Sequence, residues 1–131
     1  MWDERYQTDD FVYGEEPNSF LKEASHALTP GRVLCLAEGE GRNAVFLAEC
    51  GHQVTAVDAS AVGLEKAQRL AAERGVQIQT EVVDLADYKI AEESWDTIVS
   101  IFCHIPPKAR TEIHKKVVSG LRAGGIFILE A

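Results

Sequence analysis

Val33-Leu34-Cys35-Leu36-Ala37, followed at once by Glu38-Gly39-Glu40-Gly41-Arg42-Asn43, is the stretch on which the fold turns. Consecutive apolar residues in a run too short for a helix read as a strand covered on both faces, as strands of parallel sheets are. Gly39 and Gly41 then allow a tight turn, because glycine enters backbone conformations that a Cβ disfavours. A helical period follows as far as Glu49, with Gly51 as its C-terminal stop. Strand, glycine turn and helix in this order form the first half of a βα unit.

The same alternation continues downstream. Gln53 to Val57 reads as strand two, and Ser60 can cap a helix whose Leu64, Ala67 and Ala71 share a face before Gly75 ends it. Val76 to Val83 reads as strand three, alternating in its first half and continuously apolar only at its end. A segment through Tyr88 and Ile90 leads to strand four, Thr97 to Phe102. Pro106-Pro107 opens a helix with Ile113, Val117 and Leu121 on one side, stopped by Gly124, and Ile126 to Leu129 is strand five. The pattern predicts an α/β fold: an open, mostly parallel Rossmann-like sheet of about five strands, order 3-2-1-4-5, with helices on both faces.

Upstream, the residues to Thr29 are aromatic and acidic, and Asn18 can cap a short helix in which Leu21, Ala24 and Leu28 share a face. Pro30-Gly31 closes it with a turn. No repeat, low-complexity tract or linker interrupts the chain, so residues 1–131 are expected to form one domain. Within it, 1–29 is an aromatic lid and helix segment and 32–131 the βα core.

With 131 residues, 46% hydrophobic and 26% charged, the chain has the composition of a globular protein with one core. A net charge of −8 repels a polyphosphate backbone, which argues against a nucleic-acid partner. No basic or apolar leader opens the chain and no apolar run approaches a membrane span, so no membrane partner and a cytoplasmic location are expected. Cys35, Cys50 and Cys103 form no CxxC pair; they read as reduced, mostly buried thiols, with no metal site.

The candidate site lies at the strand ends. The glycine turn brings backbone amides of a helix N-terminus close to a ligand. Gly39-x-Gly41-x-x-Ala44 satisfies the dinucleotide fingerprint, and Asp58 follows about 20 residues later, where an acid can accept hydrogen bonds from ribose hydroxyls. Asp58 reads alternatively as a helix cap or Asx turn. Asp84, at the end of strand three, could accept from the exocyclic amine of an adenine, with Leu85 offering an amide and an apolar surface; the alternative is a solvated turn acid. The three features fall along one edge of the sheet, where open α/β sheets bind ligands. At this point both a nicotinamide cofactor and S-adenosylmethionine remain open.

The chain resembles the tellurite-resistance-type group of class I S-adenosylmethionine-dependent methyltransferases. The resemblance runs from Trp2-Asp3-Glu4-Arg5-Tyr6 through Tyr13-Gly14-Glu15-Glu16-Pro17-Asn18-Ser19-Phe20-Leu21 to Gly39-Glu40-Gly41-Arg42-Asn43, Val57-Asp58-Ala59-Ser60 and Asp84-Leu85. It implies that Gly39 and Gly41 approach the methionine part of S-adenosylmethionine, Asp58 with Ala59 the ribose, and Asp84 with Leu85 the adenine. Tyr6 and Tyr13 would belong to an N-terminal segment covering the site, where a π face favours a sulfonium. Two departures stand out: Cys35 where many such enzymes carry an acid and Ala37 where many carry a glycine; Glu38, close by, could meet the methionine ammonium group, or be a solvated loop acid. His104, in Cys103-His104-Ile105-Pro106-Pro107 after strand four, is the candidate general base for an acceptor needing deprotonation.

Relatives of this kind continue past strand five with a helix and two strands. The expectation is therefore a poorly covered strand-five edge, and a homo-oligomer formed through it. The function expected is methyl transfer to a small-molecule acceptor. The alternatives are a non-catalytic core holding S-adenosylmethionine or S-adenosylhomocysteine, and an NAD-dependent oxidoreductase.

Overall fold

The structure is a computed structural model and describes residues 16–37, 39–101 and 107–130. Its elements in chain order are α1 (Ser19–Ala24), a single 3-10 turn (Ser25–Ala27), β1 (Arg32–Leu36), α2 (Arg42–Glu49), β2 (Gln53–Asp58), α3 (Ala61–Glu73), β3 (Gln79–Val82), β4 (Trp95–Ile101), α4 (Pro107–Gly120) and β5 (Leu121–Glu130). The five strands form one sheet in the order β3-β2-β1-β4-β5, and every neighbouring pair is parallel. Fold class and strand order are those expected from the sequence.

The continuous apolar run of β1 is explained by cover on both faces. Val33 and Cys35 lie in a core cluster with Val45 and Leu47 of α2 and Leu64, Ala67 and Leu70 of α3. Leu34 and Leu36 lie in a second cluster with Trp95, Ile98, and Ile113 and Val117 of α4. Successive side chains of a strand point to opposite faces, so the run feeds both layers at once. β1 sits centrally, with Cys35 level with Ala56 of β2 and Val99 of β4. The strand order reverses between β1 and β4, the point at which open α/β sheets bind ligands, outside their strand C-terminal ends.

Caps form where the sequence places them. Asn18 Oδ1 accepts from Leu21 N (3.0 Å) to start α1, and Ser60 Oγ accepts from Gly63 N (3.0 Å) to start α3. α2 and α3 both end in a Schellman arrangement. Gly51 N donates to Ala48 O and His52 N to Leu47 O after the first; Gly75 N donates to Ala72 O and Val76 N to Ala71 O after the second.

Four expectations need correction. Strand three does not begin at Val76, because that residue completes the cap of α3; the Ile78 carbonyl then accepts from the Gln68 side chain (3.1 Å), and ladder pairing with β2 starts only at Gln79. The helix of residues 107–120 stops at Gly120 instead of reaching Gly124, since Glu93 N and Ser94 N cap the Ser119 and Gly120 carbonyls, each at 2.9 Å. A Cβ at Gly120 would also overlap Ile90. Leu121 therefore opens β5 opposite Trp95, and Gly124, at φ 82°, lies in the irregular stretch before Ile126 pairs with Thr97. Of the cysteines, Cys35 is buried but Cys50 is exposed; Cys103 lies outside the described residues. β5 lies at one edge of the described sheet, with Ile126 and Leu129 exposed.

Candidate functional site

Three of the expected features meet at the C-terminal ends of β1, β2 and β3. The turn after β1 carries alternate residues with positive φ: Ala37 at 52°, Gly39 at 61° and Gly41 at 87°. This winding turns the Gly39 N–H toward the next strand, where it donates to Asp58 Oδ2 (2.7 Å). The other carboxylate oxygen, Oδ1, accepts from Ser60 N (2.9 Å), and Asp58 remains partly exposed. The Asx turn and the bridge to the glycine turn thus coexist in one carboxylate. Ser60, not Asp58, is the helix cap.

An ionised carboxylate has about four lone-pair sites, so two N–H partners leave acceptor capacity for donors of a ligand. Ala59, beside it, is exposed. The Asp58 carbonyl in turn accepts from Val83 N (2.9 Å), which holds the end of β3 against the end of β2. Asp84 follows, exposed, its Oδ1 accepting from Ala86 N (2.9 Å) in an Asx turn. Leu85 is half-buried and packs toward the second core cluster, so part of its apolar surface is already covered. Lys116 of α4 donates to the Ala86 and Tyr88 carbonyls (3.2 and 3.0 Å) and holds this loop in place. Burial, and then the nearby Glu81, push the Tyr88 phenol above its usual range, so it stays neutral at physiological pH.

Gly41 is required for its left-handed backbone, at φ 87°, and for a second reason that its motif does not suggest. A Cβ there would overlap the Ala67 side chain, so the missing atom lets α3 pack against the start of α2. The departure at Ala37 is accommodated by a non-glycine residue in the left-handed region, and Cys35 is a fully buried core thiol.

The sequence reading missed two polar groups behind the turn. Glu40 and Lys66 are both buried and pair at 2.5 Å. The available signal was a lysine inside the apolar stripe of α3, between Leu64 and Leu70 and adjacent to Ala67. The second omission is what Asn18, read only as a helix cap, does outside α1: Asn18 N donates to Asn43 Oδ1 (2.8 Å) and Asn18 Nδ2 to Glu130 Oε1 (2.9 Å), tying α1, α2 and the end of β5 together. No pattern in the sequence links positions so far apart. Tyr6, Tyr13, Glu38 and His104 lie outside the described residues. Among the described residues no cluster of three or more His, Cys, Asp or Glu is placed to hold a metal, and no helix is long and apolar enough to cross a membrane.

A doubly wound parallel sheet with a glycine turn beside its switch point and an acid at the end of the neighbouring strand has the form of an open α/β domain that binds ligands outside its strand C-terminal ends. The methyltransferase domain family matches residues 33–125, and the chain belongs to that family. It is 27% identical over 119 residues to a 2-heptyl-1-hydroxyquinolin-4(1H)-one methyltransferase of Mycobacteroides abscessus, covering 88% of this chain and 52% of that protein. DhpI, solved in complex with SAH, superposes with a TM-score of 0.69 at 27% identity, covering 82% of this chain and 52% of that one. TehB from Haemophilus influenzae shares the fold, with a TM-score of 0.76 at 24% identity over 95% of this chain and 43% of that one. The chain thus spans about half the length of these proteins or somewhat less.

Proposed function

We propose that the chain binds S-adenosylmethionine along the C-terminal edge of β1, β2 and β3 and serves methyl transfer to a small-molecule acceptor. The observation that carries the reading is the Gly39–Asp58 bridge, which joins the glycine turn and the strand-two acid into one preformed unit inside a methyltransferase-family domain. The residues fit the group: Asp58 has spare acceptor sites for ribose hydroxyls, Asp84 is an exposed acceptor, and the start of α2 presents a helix N-terminus.

When bound, S-adenosylmethionine supplies an electrophilic methyl group on a sulfonium. The work left to the chain is alignment and exclusion of water, since in-line displacement needs no covalent nucleophile. Asp58 holds the ribose, and because its carboxylate is fixed by Gly39 N and Ser60 N it does so without reorganising. Asp84, in a loop held by Lys116, receives the adenine amine, and Leu85 lends apolar contact beside it. Tyr6 and Tyr13 cover the sulfonium, Glu38 meets the methionine ammonium group, and His104 takes a proton from acceptors that must lose one.

Calorimetric titration with S-adenosylmethionine, S-adenosylhomocysteine and NAD tests the reading. Micromolar binding of the two sulfur ligands, with none for NAD, is the expected result. Binding of NAD alone would replace it with the oxidoreductase reading. Binding without turnover of any acceptor would leave a cofactor-holding core.

A further inference from the structure

We infer that the buried Glu40–Lys66 ion pair is the positioning device of the glycine turn, setting the geometry in which Gly39 and Asp58 are presented to a ligand. Lys66 and Ala67 are neighbours on α3, and Glu40 and Gly41 are neighbours in the turn. α3 therefore grips the turn at two successive residues: Lys66 holds the Glu40 carboxylate at 2.5 Å, and Ala67 occupies the space a Cβ on Gly41 would need. The turn needs such a hold. Ala37, Gly39 and Gly41 all have positive φ, and two glycines within three residues give the free backbone wide freedom.

The pair's burial argues that it sets geometry. Glu40 is 4% exposed and Lys66 2%, so both charges have left water, and a buried ion pair is often no more stabilising than apolar residues of similar volume. What it adds is direction. A charge-assisted bond at this distance fixes the Glu40 side chain, hence the backbone between Gly39 and Gly41, where apolar packing would tolerate sliding. The Glu40 carboxylate is directed at α3, and the Gly39 N–H at Asp58. One residue of the turn is used for anchoring and its neighbour for the site.

This inference rests on the proposed S-adenosylmethionine site for its functional consequence, and the experiment separates the two. The chain and its double variant Glu40→Met with Lys66→Met are compared by S-adenosylhomocysteine calorimetry, thermal melting, and amide hydrogen exchange at Gly39 and Gly41 without ligand. A folded double variant melting within about 5 °C of the parent, binding about tenfold more weakly or worse, and exchanging faster at both glycines supports the positioning role. Binding within about twofold of the parent with unchanged exchange overturns it, because the pair would then be replaceable core. Should the double variant not fold, Glu40→Gln carries the same comparison, since it removes the charge while keeping shape and an acceptor for Lys66. If the parent binds no S-adenosylhomocysteine, the cofactor reading fails, and the exchange rates alone decide: faster exchange in the variant sustains the positioning of the turn, and unchanged exchange refutes it.

Discussion

The Gly39 N–H donates to Asp58 Oδ2 across 2.7 Å, so the turn after β1 and the end of β2 are one hydrogen-bonded unit. Asp58→Ala removes that acceptor and the one used by Ser60 N, and leaves the buried Gly39 N–H without it. The expected loss of stability is about 1–3 kcal/mol, the range for a donor left unsatisfied. S-adenosylhomocysteine binding is expected to fall at least about tenfold, through loss of the ribose acceptor and of the turn's shape. Urea unfolding and calorimetry on the same preparation read both; a variant with parental affinity would remove Asp58 from the site.

Ala37 and Gly41 both have positive φ, and their substitutions are expected to act in opposite directions. Ala37→Gly relieves a left-handed conformation costing roughly 1–2 kcal/mol for a residue with a Cβ. It gives back about 0.5–1 kcal/mol through the entropy of the unfolded chain, for a net gain of up to about 1.5 kcal/mol. Gly41→Ala meets both the strained φ and the Ala67 side chain, and overpacking alone is expected to cost about 1–3 kcal/mol. Combining it with Ala67→Gly should recover part of the steric cost and none of the backbone cost, since the Ala67 Cα still lies 2.9 Å from a Cβ at Gly41. A double-mutant cycle from denaturation midpoints checks this, and strict additivity would show that the contact with Ala67 is not the cause.

His52 makes stability depend on pH. Burial pushes its imidazole below the ordinary range and outweighs the opposite effect of its hydrogen bond with the Gly31 backbone, in which Gly31 N donates to Nδ1 (3.3 Å). The unfolded chain therefore takes up this proton at higher pH than the folded one. The stability contributed is complete above the ordinary histidine value near 6.5 and is lost as pH falls through the lower folded value. Melting temperatures from pH 8 to pH 5 should drop more steeply for the parent than for His52→Gln. Parallel curves would show that His52 does not titrate differently on folding.

The Asn18 side chain caps α1 and also donates to Glu130 of β5, so Asn18→Ala should exceed a simple cap deletion. Loss of the cap alone is expected to cost about 1 kcal/mol, with a ceiling near 2. Asn18→Ser restores a capping oxygen but cannot donate to Glu130 as the amide does. Recovery of part of the stability by serine, and all of it by neither, is the expected result of chemical denaturation. Full recovery by serine would assign the whole effect to the cap.

The sequence by itself determined the layering. A strand that is apolar at every position can only sit between two covered faces, and alternation of such runs with helical periods admits few arrangements besides a parallel sheet with helices on both sides. Gly39, Asp58 and Asp84 were legible for the same reason, since each follows a strand and strand ends of a parallel sheet share one edge. Boundaries were less legible where a backbone group finds a partner outside its own element. The Gln68 amide takes the Ile78 carbonyl, and Glu93 and Ser94 end α4 one turn early.

Only the tertiary structure decided what each motif residue is for. The second glycine of the turn makes room for Ala67, the glutamate between the glycines faces a buried lysine 26 residues away, and Asn18 meets Glu130 from the far end of the chain. Local pattern reports which residues share a face because periodicity is a property of one element. Which polar groups meet across elements depends on how those elements pack, and burial then demands partners that only the folded arrangement supplies.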